Sequence, residues 1–282
     1  MGNEGHAIER SCRIVGVSHN GFYMWRNRPP SERAIRHAWL LDQITEIHAA
    51  SRGTYGYRRV HAELTIGRGI PVSHGSIELI MSRAGLHGLP GKRRRKRAPR
   101  GVTASDLVDR DFTRPEPDQL WVTDITEHPT REGKLYCCVV LDTFSRRVVG
   151  WSIDHRQDAS LVTNALGMAI GNRQPKADGS LVIHADHGTQ FTSWAFTHRA
   201  RQSGLLPSMG SVGDCFDNAV IESFWGRMQV ELLNRKRWNT RVELASAMFE
   251  YVEVFHNRQR RHSSIGMLTP IEYENQHHKK SA

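Results

Sequence analysis

The sequence predicts a mixed α/β domain, a sheet with helices on both faces, preceded by a small all-α module. Three observations carry this. Residues 119–153 hold three apolar, β-rich runs parted by turn residues. Beyond residue 155, helical and strand patterns alternate. Before residue 90 apolar side chains recur at helical spacing, and six consecutive basic residues separate the two regions.

The chain opens with a short helical pattern, a turn at Gly16 and a helix that Ser18 is suited to cap. This is half of a helix-turn-helix or a plain helical hairpin, until Pro29 and Pro30 break it. Leu40, Ile44 and Ile47, flanked by Leu41 and His48, form the stripe of the next helix. In "GTYGYRRVHAEL", Val60 and Leu64 share one face while Arg58 and Arg59 lie on another. Ser73 suits the cap of a third helix carrying Ile77, Ile80, Met81 and Ala84, with Gly85 as its stop. Three short helices with basic faces suit a DNA-binding module; a helical spacer is the alternative. Lys92, Arg93, Arg94, Arg95, Lys96 and Arg97 repel one another and predict a solvated linker or arm, which beside DNA would neutralise phosphates.

"QLWVTDI", "KLYCCVVLD" and "RRVVGWSI" then read as successive strands, with turns at Glu132-Gly133 and Ser145-Arg146. The middle one is apolar almost throughout, as in a strand buried on both faces. A helix is expected over 159–171, a strand at "SLVIHAD", a helix around 192–203 and a short strand at "LLPSM". Two helices complete the order β-β-β-α-β-α-β-α-α.

The chain carries 39 Lys and Arg against 29 Asp and Glu, a net charge of +10 and a pI near 9.8. That balance favours a polyanionic partner. Its four cysteines, Cys12, Cys137, Cys138 and Cys215, form no CxxC, which argues against a disulfide framework and a cysteine-rich zinc site and fits a reducing cytoplasm. No apolar run approaches the roughly 20 residues of a membrane span, and the opening segment does not read as a signal peptide.

Three acids stand out. Asp124 and Asp186 each close a predicted strand, and Glu222 lies one residue off the stripe Ile221, Phe224, Trp225, Met228 and Leu232. Two carboxylates at strand ends and one leaning from a helix can converge on a pair of divalent metals about 3.5–4 Å apart, the arrangement that cuts and joins phosphodiesters. Singly, each acid is ordinary: a turn residue, a helix cap or a solvated helix face. His184 and His187, with carboxylates beside them and no cysteine partner, read as ordinary loop histidines and not zinc ligands.

The flanks make the set specific. "LWVTDIT", "VVLDTFSRRVVGW", "HADHGTQFTS", "GDCFDNAVIESFWGRMQVEL" and "HNRQRRHSSIGMLTPIEY" resemble the second-frame product, OrfB, of IS-three-type insertion-sequence transposases. That group belongs to the DDE transposase and retroviral-integrase superfamily. Upstream, "IHAASRGTYGYRRVHAEL" resembles the helical segment that precedes its catalytic domain, so the likeness spans nearly the whole chain.

The resemblance implies an RNase H-like fold with a five-stranded mixed sheet, and Asp124, Asp186 and Glu222 as catalytic metal ligands. It implies Mg²⁺, with Mn²⁺ as a substitute and two ions per site. Asp142 matches a frequent acidic position and is read as supporting the site. Gly188, Gln190 and Asn218 match the loops around the acids. Asn257, Arg260 and His262 match a basic C-terminal signature, DNA-facing or packing. Expected DNA contacts are Arg58, Arg59, Lys92 to Arg97, Gln190, Arg227, Gln229, Arg260 and His262. The family commonly carries a cation seven residues after the glutamate; here that position is Gln229, and His187 also departs from the common pattern.

Expected boundaries are a helical segment over 1–33, a helix-turn-helix-like domain over 34–90, a basic linker over 91–115, an integrase-type catalytic domain over 116–275 and a tail over 276–282. The expected activity is cleavage and strand transfer at element ends. DNA ends and target duplex are the substrates, with homo-oligomers on DNA and an upstream-frame partner (OrfA) or a fusion with it. Rival readings are a catalytically inactive DNA-binding regulator and an RNase H-like nuclease.

Overall fold

The computed structural model describes residues 8–89, 112, 114–186, 188–209 and 219–281. Two short helices, α1 (Ile8–Val15) and α2 (His19–Arg26), come first, with Gly16 at φ +74° between them. Ser18 caps α2 by accepting a hydrogen bond from Gly21 N. Then follow α3 (Glu32–Ala50), α4 (Tyr57–Ala62), a π-helical turn to Gly67, and α5 (His74–Arg83), capped by Ser73 as its sequence predicts.

The sheet comprises β1 (Leu120–Thr130), β2 (Gly133–Asp142), β3 (Val148–Asp154), β4 (Val182–Ala185) and β5 (Leu206–Met209), in the order β3-β2-β1-β4-β5. β1, β2 and β3 form an antiparallel meander, while β4 and β5 run parallel to β1. Helices α6 (Ala159–Arg173) and α7 (Trp194–Gln202) cover one face. The other is covered by α8 (Ala219–Glu231) and α9 (Arg241–Phe249), which runs on as a π-helix through Gln259. The chain closes with α10 (Pro270–Ser281), so the stretch expected as a tail is helical.

Alternation along β2 divides the core. Cys137, Val139 and Leu141 pack towards α8 and α9, whereas Cys138 and Val140 pack towards α6 and α7. From Cys137 to Leu141 the strand is apolar because both faces are dry there. Gly150 lets α6 settle onto β3: a Cβ there would lie 2.3 Å from the Ala165 carbonyl oxygen. The first core layer also takes in Leu40, Ile44, Ile47, Val60 and Leu64, so the N-terminal helices share the sheet's apolar interior. Among the described residues no helix is long and apolar enough to cross a membrane.

Candidate active site

Asp124 does not close its strand as its sequence suggests. β1 continues to Thr130, and Asp124 faces Val139 of β2. What ends beside it is β4. Leu120, Trp121 and Val122 pair in parallel with Val182, Ile183 and His184, and the pairing stops there. Extending that register by two residues sets Asp124 alongside Asp186, the first residue past β4. Neighbouring strands lie about 4.8 Å apart, and residues two apart share a face. That face, shared with Leu120 and Val122, is the one on which Ile221, Phe224 and Met228 of α8 pack.

α8 touches the first aspartate directly: Trp225 Nε1 donates to Asp124 Oδ2 at 3.1 Å. Ile125 N donates to Asp124 Oδ1 at 2.8 Å, and Gly188 N to Asp186 Oδ1 at 3.0 Å. Glu222 lies one helical turn before Trp225, at the exposed rim. Burial pushes the Asp124 carboxyl up to about 6; the Ile125 amide and Trp225 pull it back, while the charges of Asp186 and Glu222 push it further up. The three acids therefore share one electrostatic neighbourhood. Among the described residues, though, no three His, Cys, Asp or Glu side chains are gathered into a metal cage. The donors are all carboxylate oxygens, which suit a hard divalent cation and would have their mutual repulsion relieved by one.

Two models of an integrase core domain match, over residues 114–215 and 222–277, and a model of an HTH-like domain matches over 35–97. A 31 kDa protein of insertion element IS600 from Shigella sonnei is 34% identical over 96% of this chain and 100% of its own length. The transposase of IS629, from the same organism, is 36% identical over 96% and 92%. Transposase InsF of IS3A from Escherichia coli K12 is 33% identical over 95% and 94%. The chain belongs to the IS3-type insertion-sequence transposases. Among solved structures, the HTLV-2 integrase catalytic core in complex with magnesium is 18% identical, with a TM-score of 0.42 over 56% of this chain and 97% of that one.

Asp142 of the transposase lies apart from the acids. It faces Trp121, three residues before Asp124 on β1, and is fully buried. Its oxygens accept from Asp118 N and Phe144 N, which fixes the β2–β3 turn and not, as the resemblance implied, the site. His184 is also structural: it is buried with Nδ1 3.0 Å from Ser208 Oγ. His187, Asn218 and Lys92 to Arg97 lie outside the described residues.

The expected DNA contacts divide. Arg58 is exposed on α4, with its guanidinium over the Tyr57 ring. Arg227 is half-buried on α8 and has no ion-pair partner among the described residues. Gln190 bonds Gln157 O at 3.2 Å, and Gln229 bonds Asn234 Oδ1 at 2.7 Å, so both amides are engaged locally. Arg260 is 2% exposed and donates Nε and Nη2 to the two oxygens of Glu231, each at 2.7 Å. It packs, as does Asn257, whose amide bridges Val148 N and O. Arg59 turns inward, 3.8 Å from Glu231, and donates to Arg261 O. His262 sits against Arg260 and the His256 ring, and burial holds its imidazole neutral, well below the usual histidine range.

Sequence reasoning missed Trp225 as a partner of Asp124, although an indole one turn after the glutamate was a signal. It also missed Glu231, nine residues after Glu222, whose carboxylate gathers Arg59, Arg260 and the Tyr251 hydroxyl.

Proposed function

We propose that this transposase cuts insertion-sequence ends and joins their 3′-hydroxyls to target DNA, using Asp124, Asp186 and Glu222 as ligands of Mg²⁺. Mn²⁺ would substitute, and two ions would be held. The observation that carries this is the β1–β4 register, which aligns Asp124 with Asp186 on the face that α8 covers. Held by these carboxylates, Mg²⁺ would supply the charge that activates an attacking oxygen and stabilises a leaving one. The protein supplies position. Trp225 and the Ile125 amide each fix one oxygen of Asp124, and Gly188 N orients Asp186. Half-buried Asp124 is the deep anchor; Glu222, exposed, comes from the opposite wall. Arg58, Arg227 and the run Lys92 to Arg97 would meet phosphates, since their charge needs no specific base.

The same reading has the transposase act as a homo-oligomer on DNA in the cytoplasm, with an upstream-frame partner. Exposed apolar side chains on α1 and α2, among them Ile14 at 79%, Met24 at 77% and Trp25 at 73%, offer surface for such a contact. The decisive experiment incubates a labelled duplex bearing the element end with Mg²⁺. Nicking and joining are expected, both lost in Asp186→Asn with DNA binding retained. Metal-independent cleavage, or an Asp186→Asn protein that still cuts, would overturn the assignment. Cleavage of RNA–DNA hybrids alone would favour the nuclease reading.

A further inference from the structure

A cavity of about 300 Å³ opens beside the catalytic helix, where α4, α8, the β2–β3 turn and the C-terminal segment meet. Four guanidinium groups line it: Arg59, Arg146, Arg227 and Arg260. Ser223 and His262 add hydroxyl and imidazole, and among the described residues no aspartate or glutamate lines it. Arg260 and Arg59 converge on Glu231, while the Asp142 carboxylate acts on Arg146 from beyond ion-pair distance. Arg146 has no ion pair among the described residues, and its buried Nε has no hydrogen-bond partner. Its backbone is also left-handed, at φ +65°. Arg227 likewise has no ion pair among the described residues. The cations feel one another: burial, then the Arg260 charge, lowers the Arg59 guanidinium to about 10, with Arg227 adding to the effect.

An unpaired guanidinium in a half-buried cavity is costly, and an anion is what relieves it. The cavity's position says which anion. Ala219, Ser223 and Arg227 occupy one flank of α8 over about 12 Å of axis, and Glu222 lies within that span. Leu141, also in the lining, is two residues along β2 from Val139, the partner of Asp124. That offset is about 7 Å.

We propose that this arginine cavity is a phosphate-binding subsite that seats one backbone phosphate of the DNA strand whose neighbouring linkage is cut or joined. The inference rests on the reading of the chain as a DNA strand-transfer enzyme, and deepens it. Arg146 and Arg227 supply the free donors, Ser223 a hydroxyl. Arg59 and Arg260, locked to Glu231, supply fixed field. A phosphate seated here would set the register of the strand across the acids without reading its sequence.

The test compares the full chain with Arg146→Gln, Arg227→Gln and Arg146→Lys, in EDTA so that no cleavage intervenes. Two probes are used: a 30-base-pair duplex over a salt series, and inorganic phosphate at matched ionic strength. Each glutamine variant should flatten the plot of log affinity against log salt, and the two together by about 0.9, the one phosphate contact they share. Arg146→Lys should restore most of it. Because Arg146 Nε is buried without a hydrogen-bond partner and burial disfavours its charge, Arg146→Gln should melt no lower than the parent, whereas a merely structural arginine would lower the melting temperature. An unchanged salt slope with full DNA binding would sink the subsite and leave the enzyme reading intact. Failure of the parent chain to bind the duplex would sink that reading, and the subsite with it as a DNA site. Binding of inorganic phosphate with an unchanged DNA slope would assign the cavity to a free phosphate and overturn the proposal as stated.

Discussion

Replacing Glu231 by glutamine tests the central contact of the molecule. Glu231 is 3% exposed and accepts from Arg260 Nε and Nη2 at 2.7 Å and from the Tyr251 hydroxyl at 2.9 Å. Burial alone would raise its pKa, but the hydrogen bonds and charge of Arg260, then Arg59, hold it below the usual carboxylate range. Glutamine keeps the volume and one acceptor but strands the Arg260 charge, itself 2% exposed. Removing one partner of a buried pair costs about 3–5 kcal/mol. At roughly 2–4 °C per kcal/mol in a protein of this size, melting should fall by about 6–20 °C. A lowered carboxylate pKa contributes stability that is present above the unfolded value and lost as pH falls through the folded one. Parent and variant should therefore converge on acidification below the ordinary glutamate pKa near 4.5. Thermal melts of both proteins from pH 3 to 8 measure this. Replacing Glu231 and Arg260 together by methionine should recover part of the loss, because the Arg260 charge then disappears while Arg59 and Tyr251 still lose their partner. A Glu231→Gln protein that melts within 2 °C of the parent at pH 7 (about 1 kcal/mol or less) would refute the reasoning.

Other outcomes follow from the same geometry. Burial and two neighbouring carboxylates raise Asp124 to about 6, so its ionisation costs stability above its unfolded pKa. Asp124→Asn should thus melt several degrees higher than the parent at pH 8 without metal, with little gain at pH 4, while strand transfer is lost. Mg²⁺ should raise the melting temperature of the parent and not of Asp124→Asn, as differential scanning in a Mg²⁺ titration would show. Trp225→Phe removes a donor that holds Asp124 down, so the acid limb of the pH–rate profile should move to higher pH, with cleavage reduced several-fold at pH 6 and less at pH 8. Neutralising Lys92 to Arg97 should weaken binding to end and random duplexes alike and flatten the salt slope by about 0.9 per phosphate contact, which filter binding at four salt concentrations would detect.

The regular elements were legible because each carries a local signal. Ser18 and Ser73 cap where capping residues were expected, and β2 is apolar from Cys137 to Leu141, where both its faces are covered. The place of Asp124 was misread because polar Thr126 and Glu127 looked like the end of a strand. β1 persists to Thr130 through its antiparallel pairing with β2, a non-local partner that no window of sequence reveals. Arg260 and Asn257 were ambiguous for a related reason. A charged or amide residue reads as surface until the distant group that satisfies it, Glu231 or the Val148 backbone, is located. The spacing of the acids suggested their convergence, but the two-residue extension beyond paired β4 that aligns Asp124 with Asp186 needed the register.

The carboxylate of Glu231 sits at the far end of the helix that begins near Glu222, and its partners come from both ends of the chain. Arg59 belongs to the N-terminal helices and Arg260 to the C-terminal segment; Tyr55 and Arg261 tie the same two regions again. The N-terminal module is therefore clasped to the catalytic helix itself, and not merely tethered by the basic stretch between them. A clasp of this kind makes the molecule a caliper. In the proposed function, the span between a duplex met by Arg58 and the strand at the acids is then a constant of the fold, and the distance from held duplex to cut bond is counted in folded protein.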